Sequence, residues 1–296
     1  MLTWLFVAAR IVANPVSNVF QKRLAQRSAH PIFVIAVTHA LLTLVCLPML
    51  PSPLKLGGGA DFWANIMAAA FLAVAGNALL VAALRTSDLS VLGPINAYKS
   101  AISLVLGIFL VHEIPTPTGV MGVLLIVAGS YFVVDRDENQ PRRNAFILFF
   151  QELGVQLRIA ALGLSATEAI FLKRALIVST PLTTFVVWCV LGLPIAALAA
   201  GLLLRGRLRE ETTILYQNWA TYLWLAATTG LMQSATLYTF GKLPVGYSLA
   251  LFQLSTLLSV FLGYRYFQER SIQKRLLGTL VMIAGAVLII VFGSNQ

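Results

Sequence analysis

Polar and charged residues set inside apolar stretches are where this sequence could do chemistry. Arg10, Asn14, Asn18 and Gln21 recur at steps of four, four and three, which lays them in one stripe along a helix. Asn96, Lys99, Ser100 and Ser103 share a face just after Gly93-Pro94. Arg158, Ser165 and Glu168 fall along a third. Groups of these types either hydrogen-bond a polar solute or hold neighbouring helices together.

Lys99 is the sharpest of them. An ammonium inside lipid needs an anionic partner or a water-filled cavity. A solute carboxylate or phosphate would serve, and so would Glu168. Glu168 itself reads as a proton-loading group, giving a coupling proton as partner, or as the structural mate of Lys99, Lys173 or Arg158. Asn77 and Gln233 stand 156 residues apart, and Thr229 and Tyr238 join Gln233 within a helical arc. Gln253, Thr256 and Ser259 complete the candidates. The substrate-binding set is therefore Asn14, Asn18, Asn77, Asn96, Lys99, Ser103, Glu168, Gln233, Tyr238, Gln253 and Thr256. Arg10 reads as cavity-facing or as an interfacial side chain that snorkels outward. His39 reads as a helix contact.

The elements that must carry these residues are set by composition. The chain is 58% apolar and 11% charged, with a mean hydropathy of +0.84, far from the roughly 25% charged of soluble domains. Lipid is the solvent for most of it. Apolar runs long enough to cross a bilayer fall at roughly 3–21, 31–50, 62–84, 90–111, 117–134, 153–172, 182–204, 215–240, 246–267 and 273–292, about 20 residues each. Cys46 and Cys189 sit inside two of these runs, so neither a disulfide framework nor a metal cluster is expected. The net charge of +10 resides mostly between runs, where it meets lipid headgroups rather than nucleic acid.

One pattern occurs twice. Gly107, Glu113, Gly122 and Gly129 are spaced as Gly263, Glu269, Gly278 and Gly285 are, and the stretches Ala101–Gly129 and Leu257–Gly285 agree at 8 of 29 positions. A Glu held in register marks an internal duplication. The paired acids read as caps for the helix that follows each, and the glycines as points of close helix packing. The charged interval Asp135–Asn144 lies at mid-chain. The domain reading is a first five-helix repeat over 1–134, a linker over 135–152 and a second repeat over 153–296. Five spans per half turn the second copy upside down, giving an all-α membrane protein of ten transmembrane helices in two inverted repeats. Inverted repeats suit alternating access.

Ten spans in two halves, each closing on Gly-x5-Glu-x8-Gly-x6-Gly, resemble the EamA-like branch of the drug/metabolite transporter superfamily. The resemblance implies a multi-pass carrier of a plasma membrane, such as the bacterial inner membrane. It implies a central cavity lined mainly by helices 1, 3, 4, 6, 8 and 9, and termini on the cytoplasmic side. The charges imply the reverse. Thirteen Lys and Arg lie in odd-numbered loops against four in even ones, which puts the termini outside.

No metal-binding helix motif, phosphate loop or nucleophile elbow is present, so neither an enzyme nor a cofactor is expected. Arg10, Lys99 and Arg158 outnumber Glu168, which favours a small polar or amphipathic cargo bearing a carboxylate, amino acids included. A flippase for lipids or lipid-linked substrates, or an accessory membrane subunit, is the alternative.

Overall fold

The computed structural model describes residues 2–49, 59–99, 101–102, 116–133, 149–243, 245–269 and 272–292. Among these there is no strand. The helices are α1 (Leu2–Gln26), α2 (Pro31–Cys46), α3 (Gly59–Thr86), α4 (Leu89–Leu92), α5 (Pro117–Val133) and α6 (Leu153–Ile177). There follow α7 (Pro181–Leu203), α8 (Leu208–Gln217), α9 (Trp219–Lys242), α10 (Val245–Phe252), α11 (Ser255–Phe267) and α12 (Ile272–Phe292). Pro31 and Pro181 occupy first turns, where a missing N–H costs nothing. The Thr180 hydroxyl caps α7 by accepting from Thr183 N.

Among the described residues six segments are long and apolar enough to span a bilayer: α1, Pro31–Met49, α3, α6, α7 and Ile272–Ile289. They coincide with six of the ten expected runs, and Pro117–Gly129 within α5 is a shorter apolar one. The others depart from expectation in specific ways. The run expected from 215 begins instead at Trp219, because Leu208–Gln217 forms a separate helix.

The runs 90–111 and 246–267 are not continuous helices. In the first, α4 ends at Leu92 and Pro94–Ala97 is a 3-10 turn; Pro94 supplies no N–H and crowds the preceding turn. In the second, the break falls at Gln253–Leu254 without a proline. There Thr256 donates both its N–H (2.9 Å) and its hydroxyl (2.7 Å) to the Gln253 carbonyl, a local bond that competes with the helical ladder. Under the 156-residue offset Pro94–Ala97 corresponds to 250–253, so the second break meets the end of the first rather than its Gly93-Pro94 start.

The packing partners follow the same relation. α3 lies along α6 and α1 along α9, while α2 packs on α7 and α5 on α12. In the last pair the repeated glycines face each other crosswise. A Cβ at Gly122 would sit 2.6 Å from the Gly285 carbonyl oxygen, and one at Gly129 would sit 2.8 Å from that of Gly278. Close packing is thus what these glycines permit. Gly122→Ala should lower stability by about 1–3 kcal/mol through overpacking. Gly163→Ala, with nothing within 4 Å of its added methyl, should not; thermal unfolding of the two variants checks this.

Glu269 caps a different helix from the one expected. Gln268 takes a left-handed conformation at the end of α11, φ 53°, and turns the chain back. The carboxylate then accepts from Leu89 N and Ser90 N, both at 2.8 Å, at the start of α4 rather than α12. It also receives Lys22 Nζ at 2.7 Å and lies 3.8 Å from Arg275 Nη1. Arg275 reaches Asp88 at 3.3 Å and bonds the Ser90 hydroxyl. Lys22 and Arg275, counted by sequence among loop charges, are buried. This network ties the ends of α1, α4, α11 and α12 together. Glu113 and Gly107 lie outside the described residues.

Candidate substrate-binding cavity

A cavity of about 130 Å³ lies between the two halves of the chain. One water needs about 10–15 Å³ by this measure, so the space holds several waters or a small solute. Its wall draws on α1, α3, the residues after Gly93, α6, α9 and the α10–α11 break, with Trp188 added from α7.

From α1 come Arg10 and Asn14. Arg10 Nε donates to Thr236 Oγ1 at 2.8 Å, and its guanidinium lies 4.9 Å from the centre of the Phe252 ring. It faces the cavity rather than snorkelling out. Asn14 Nδ2 reaches Ser255 Oγ at 3.4 Å, joining α1 to the start of α11. Asn18, one turn on, is buried in packing and does not line the cavity.

Asn77 from α3 gives its amide N–H to Ala73 O at 2.9 Å, which leaves its carbonyl oxygen for the cavity. Asn96 and Lys99 follow the break in the fourth segment. The Leu92 carbonyl would bond Asn96 N in an unbroken helix, but that N–H goes to Gly93 O at 3.0 Å. Arg158 supplies the replacement donor, its Nε at 3.3 Å from Leu92 O, and its Nη2 bonds Asn96 Oδ1. Arg158 therefore holds the broken helix in place.

Lys99 Nζ donates to Ser165 Oγ at 3.0 Å. Among the described residues no carboxylate oxygen lies within 4 Å of Lys99 Nζ, and Glu168 makes no such close contact with Lys173 or Arg158, although Lys99 and Glu168 face the same cavity. Glu168 is the cavity's acid among the described residues, with Arg10, Lys99 and Arg158 on the same wall. The Trp188 indole N–H and the Gln233 amide neighbour its carboxylate and are placed to donate to it. Arg10 Nη1, Thr229 Oγ1 and Gln253 Oε1 are buried without hydrogen-bond partners. The large majority of buried side-chain polar atoms are paired, so three orphans on one wall mark a place built for polar contact.

The structure thus brings together Asn14, Asn77, Asn96, Lys99, Glu168, Gln233 and Gln253. It separates others. Tyr238 stacks on Phe6 with ring centres 4.1 Å apart; five residues beyond Gln233, it is turned about 140° from the face that carries Thr229, Gln233 and Thr236. Thr256 is spent on the helix break described above, and Ser255 lines the cavity instead. Ser103 and Ser100 lie outside the described residues. Arg10, Arg158 and Ser165 were visible in the polar stripes without entering the candidate set. Trp188 had no such signal, being the polar-tipped member of an apolar helix. His39 is a helix contact: its ring lies 4.7 Å from that of Trp188 and fills the space beside Gly192.

Residues 2–135 match the model of the EamA-like transporter family. Over 97% of its length the chain superposes on 95% of a protein known from its crystal structure, with a TM-score of 0.62 at 14% identity. At that identity the likeness is one of fold. No curated protein matches the chain.

Proposed function

We propose that this chain, whose residues 2–135 match the model of the EamA-like transporter family, is a secondary carrier that moves a small carboxylate-bearing solute by alternating access. The family is one of membrane transporters and not of enzymes, and the six long apolar helices make the chain a multi-pass membrane protein. In this reading 1–134 and 153–296 are inverted five-helix repeats joined by 135–152. Three features support the symmetry. The packing of α3 on α6 has its counterpart in α1 on α9, the repeated glycines cross pairwise, and both mid-cavity segments are broken near corresponding positions. Discontinuous helices at corresponding places in two halves flank the substrate site of many such carriers.

The observation that carries the cargo class is the wall's polarity. Among the described residues three cations face one carboxylate, and Arg10 Nη1, Thr229 Oγ1 and Gln253 Oε1 lack protein partners. A solute carboxylate set between Lys99 and Arg10 would satisfy both charges. Asn14, Asn77, Gln233 and Gln253 would bond the remainder of the solute. Glu168 would receive a cargo ammonium or, when the cargo lacks one, a proton that travels with it. Arg158, with its donors committed to Leu92 and Asn96, positions the broken helix. Alternation then consists of the two halves exchanging conformations around this site.

A thermal-unfolding screen of the purified protein tests the cargo class. An amino acid or organic acid at 100 times its dissociation constant should stabilise the protein by about 2.7 kcal/mol. Nucleosides and neutral sugars should not. Stabilisation by neutral solutes alone would remove the carboxylate reading.

A further inference from the structure

A second cavity lies at the end of the bundle where α1 finishes and α9 begins. Its volume is about 320 Å³, and its walls are Arg23, Leu24, Gln26, Arg27, Asn218 and Thr221. We infer that this pocket holds the phosphodiester headgroup of an anionic phospholipid.

The charge is free to do so. Arg23 and Arg27 stand one turn apart near the end of α1, both exposed. Among the described residues neither lies within 4 Å of a carboxylate. The acids that could have neutralised them are engaged elsewhere. Glu211 is buried and accepts the His30 backbone N–H at 3.0 Å, and Glu210 pairs with Arg207 at 3.4 Å. The Arg23 guanidinium is also held in place, 5.1 Å from the centre of the Tyr266 ring and 6.0 Å from that of Phe20. A guanidinium fixed on an aromatic face and lacking an acid partner presents its fork to an incoming phosphate. Asn218 and Thr221 add polar groups on the opposite wall.

The surroundings favour a lipid over a dissolved anion. α8 is amphipathic. Its Ile214 and Leu215 pack against the apolar cluster formed by α1, α2, α3, α7 and α9, while Leu208 and Tyr216 are exposed. Tyr216, Trp219 and Tyr266 are exposed at 84, 61 and 52%, and this residue class settles at the headgroup level of a bilayer. Tyr266 lies against the lining residue Arg23, and Tyr216 and Trp219 flank the lining residue Asn218 along the chain, so interfacial aromatic residues accompany the pocket. Basic pockets between transmembrane helices take phosphate headgroups in the same way.

The test uses purified full-length protein in detergent, with thermal unfolding followed against added phosphatidylglycerol, phosphatidylcholine of the same acyl length, and inorganic phosphate. Phosphatidylglycerol should raise the unfolding midpoint saturably and the other two should not. Replacing Arg23→Gln and Arg27→Gln together should raise the half-saturating lipid concentration at least about tenfold, equivalent to 1.4 kcal/mol. Replacing Arg205→Gln and Arg209→Gln, outside the pocket, should leave it unchanged. If the double pocket variant does not fold, Arg27→Gln alone is read by native mass spectrometry, where it should retain fewer phosphatidylglycerol molecules than wild type. Three results would overturn the inference: an undiminished lipid response in the pocket variants, an equal loss in the Arg205/Arg209 control, or the same saturable shift from inorganic phosphate.

Discussion

Lys99→Ala is expected to weaken solute binding by about 10–100-fold while leaving the protein folded. The magnitude follows from one charge-assisted hydrogen bond, about 1.5–3 kcal/mol, converted at 1.4 kcal/mol per decade. The fold survives because the side chain holds little of it: Nζ reaches Ser165 Oγ at 3.0 Å and, among the described residues, no carboxylate within 4 Å. Arg158→Ala gives the contrast. It removes the donors to Leu92 O and Asn96 Oδ1, so it should lower the unfolding midpoint as well as transport. Binding isotherms and unfolding curves on the two variants separate the roles. Full solute affinity in Lys99→Ala would dismiss Lys99 as a contact.

Glu269→Ala is expected to carry the largest cost in stability, about 3–5 kcal/mol. The substitution takes the nearest acid from buried Lys22, leaving Asp88 at 3.8 Å, removes one of the two acids beside buried Arg275, and uncaps two backbone donors at the start of α4. The pH dependence has a definite sign. Burial alone would raise the Glu269 carboxyl, but the Lys22 ammonium and the bonds from Ser90 outweigh it and hold the group below its ordinary value. A depressed carboxyl contributes stability that is complete above its unfolded value and lost as pH falls through its folded one. The gap in unfolding midpoint between wild type and Glu269→Gln should therefore narrow in acid. A gap that persists unchanged at low pH would show that charge is not what the network depends on.

Much of this was legible in the sequence because lipid makes polar residues conspicuous. Asn14, Asn77, Asn96, Lys99, Glu168, Gln233 and Gln253 stood out from apolar surroundings, and all seven line one cavity. The stripe logic also pointed at Arg10 and Arg158, whose length invites a snorkelling reading that only packing can exclude. What failed was angular resolution. Tyr238 belongs to the same helix as Gln233 but to another face, and Thr256 was diverted by a local bond to Gln253 O.

Helix continuity was the other gap. Gly93-Pro94 announces its break, whereas Gln253–Leu254 has no residue that forbids a helix. Glu269 was read as a cap correctly in kind but attached to the wrong helix, since its target lies 180 residues away in sequence. Gly122, Gly129, Gly278 and Gly285 were read correctly because close approach of two backbones leaves a trace that spacing alone preserves.

The most direct measurement of the central claim is counterflow in proteoliposomes. Vesicles carrying the purified protein and preloaded with an unlabelled amino acid or organic acid would take up the labelled compound. The account predicts saturable uptake of at least one carboxylate-bearing solute, lost in Lys99→Ala and retained when Arg205→Gln and Arg209→Gln replace distant surface charges. Failure of every soluble compound, together with accelerated transbilayer movement of a labelled phospholipid in the same vesicles, would contradict it and make the chain a lipid flippase.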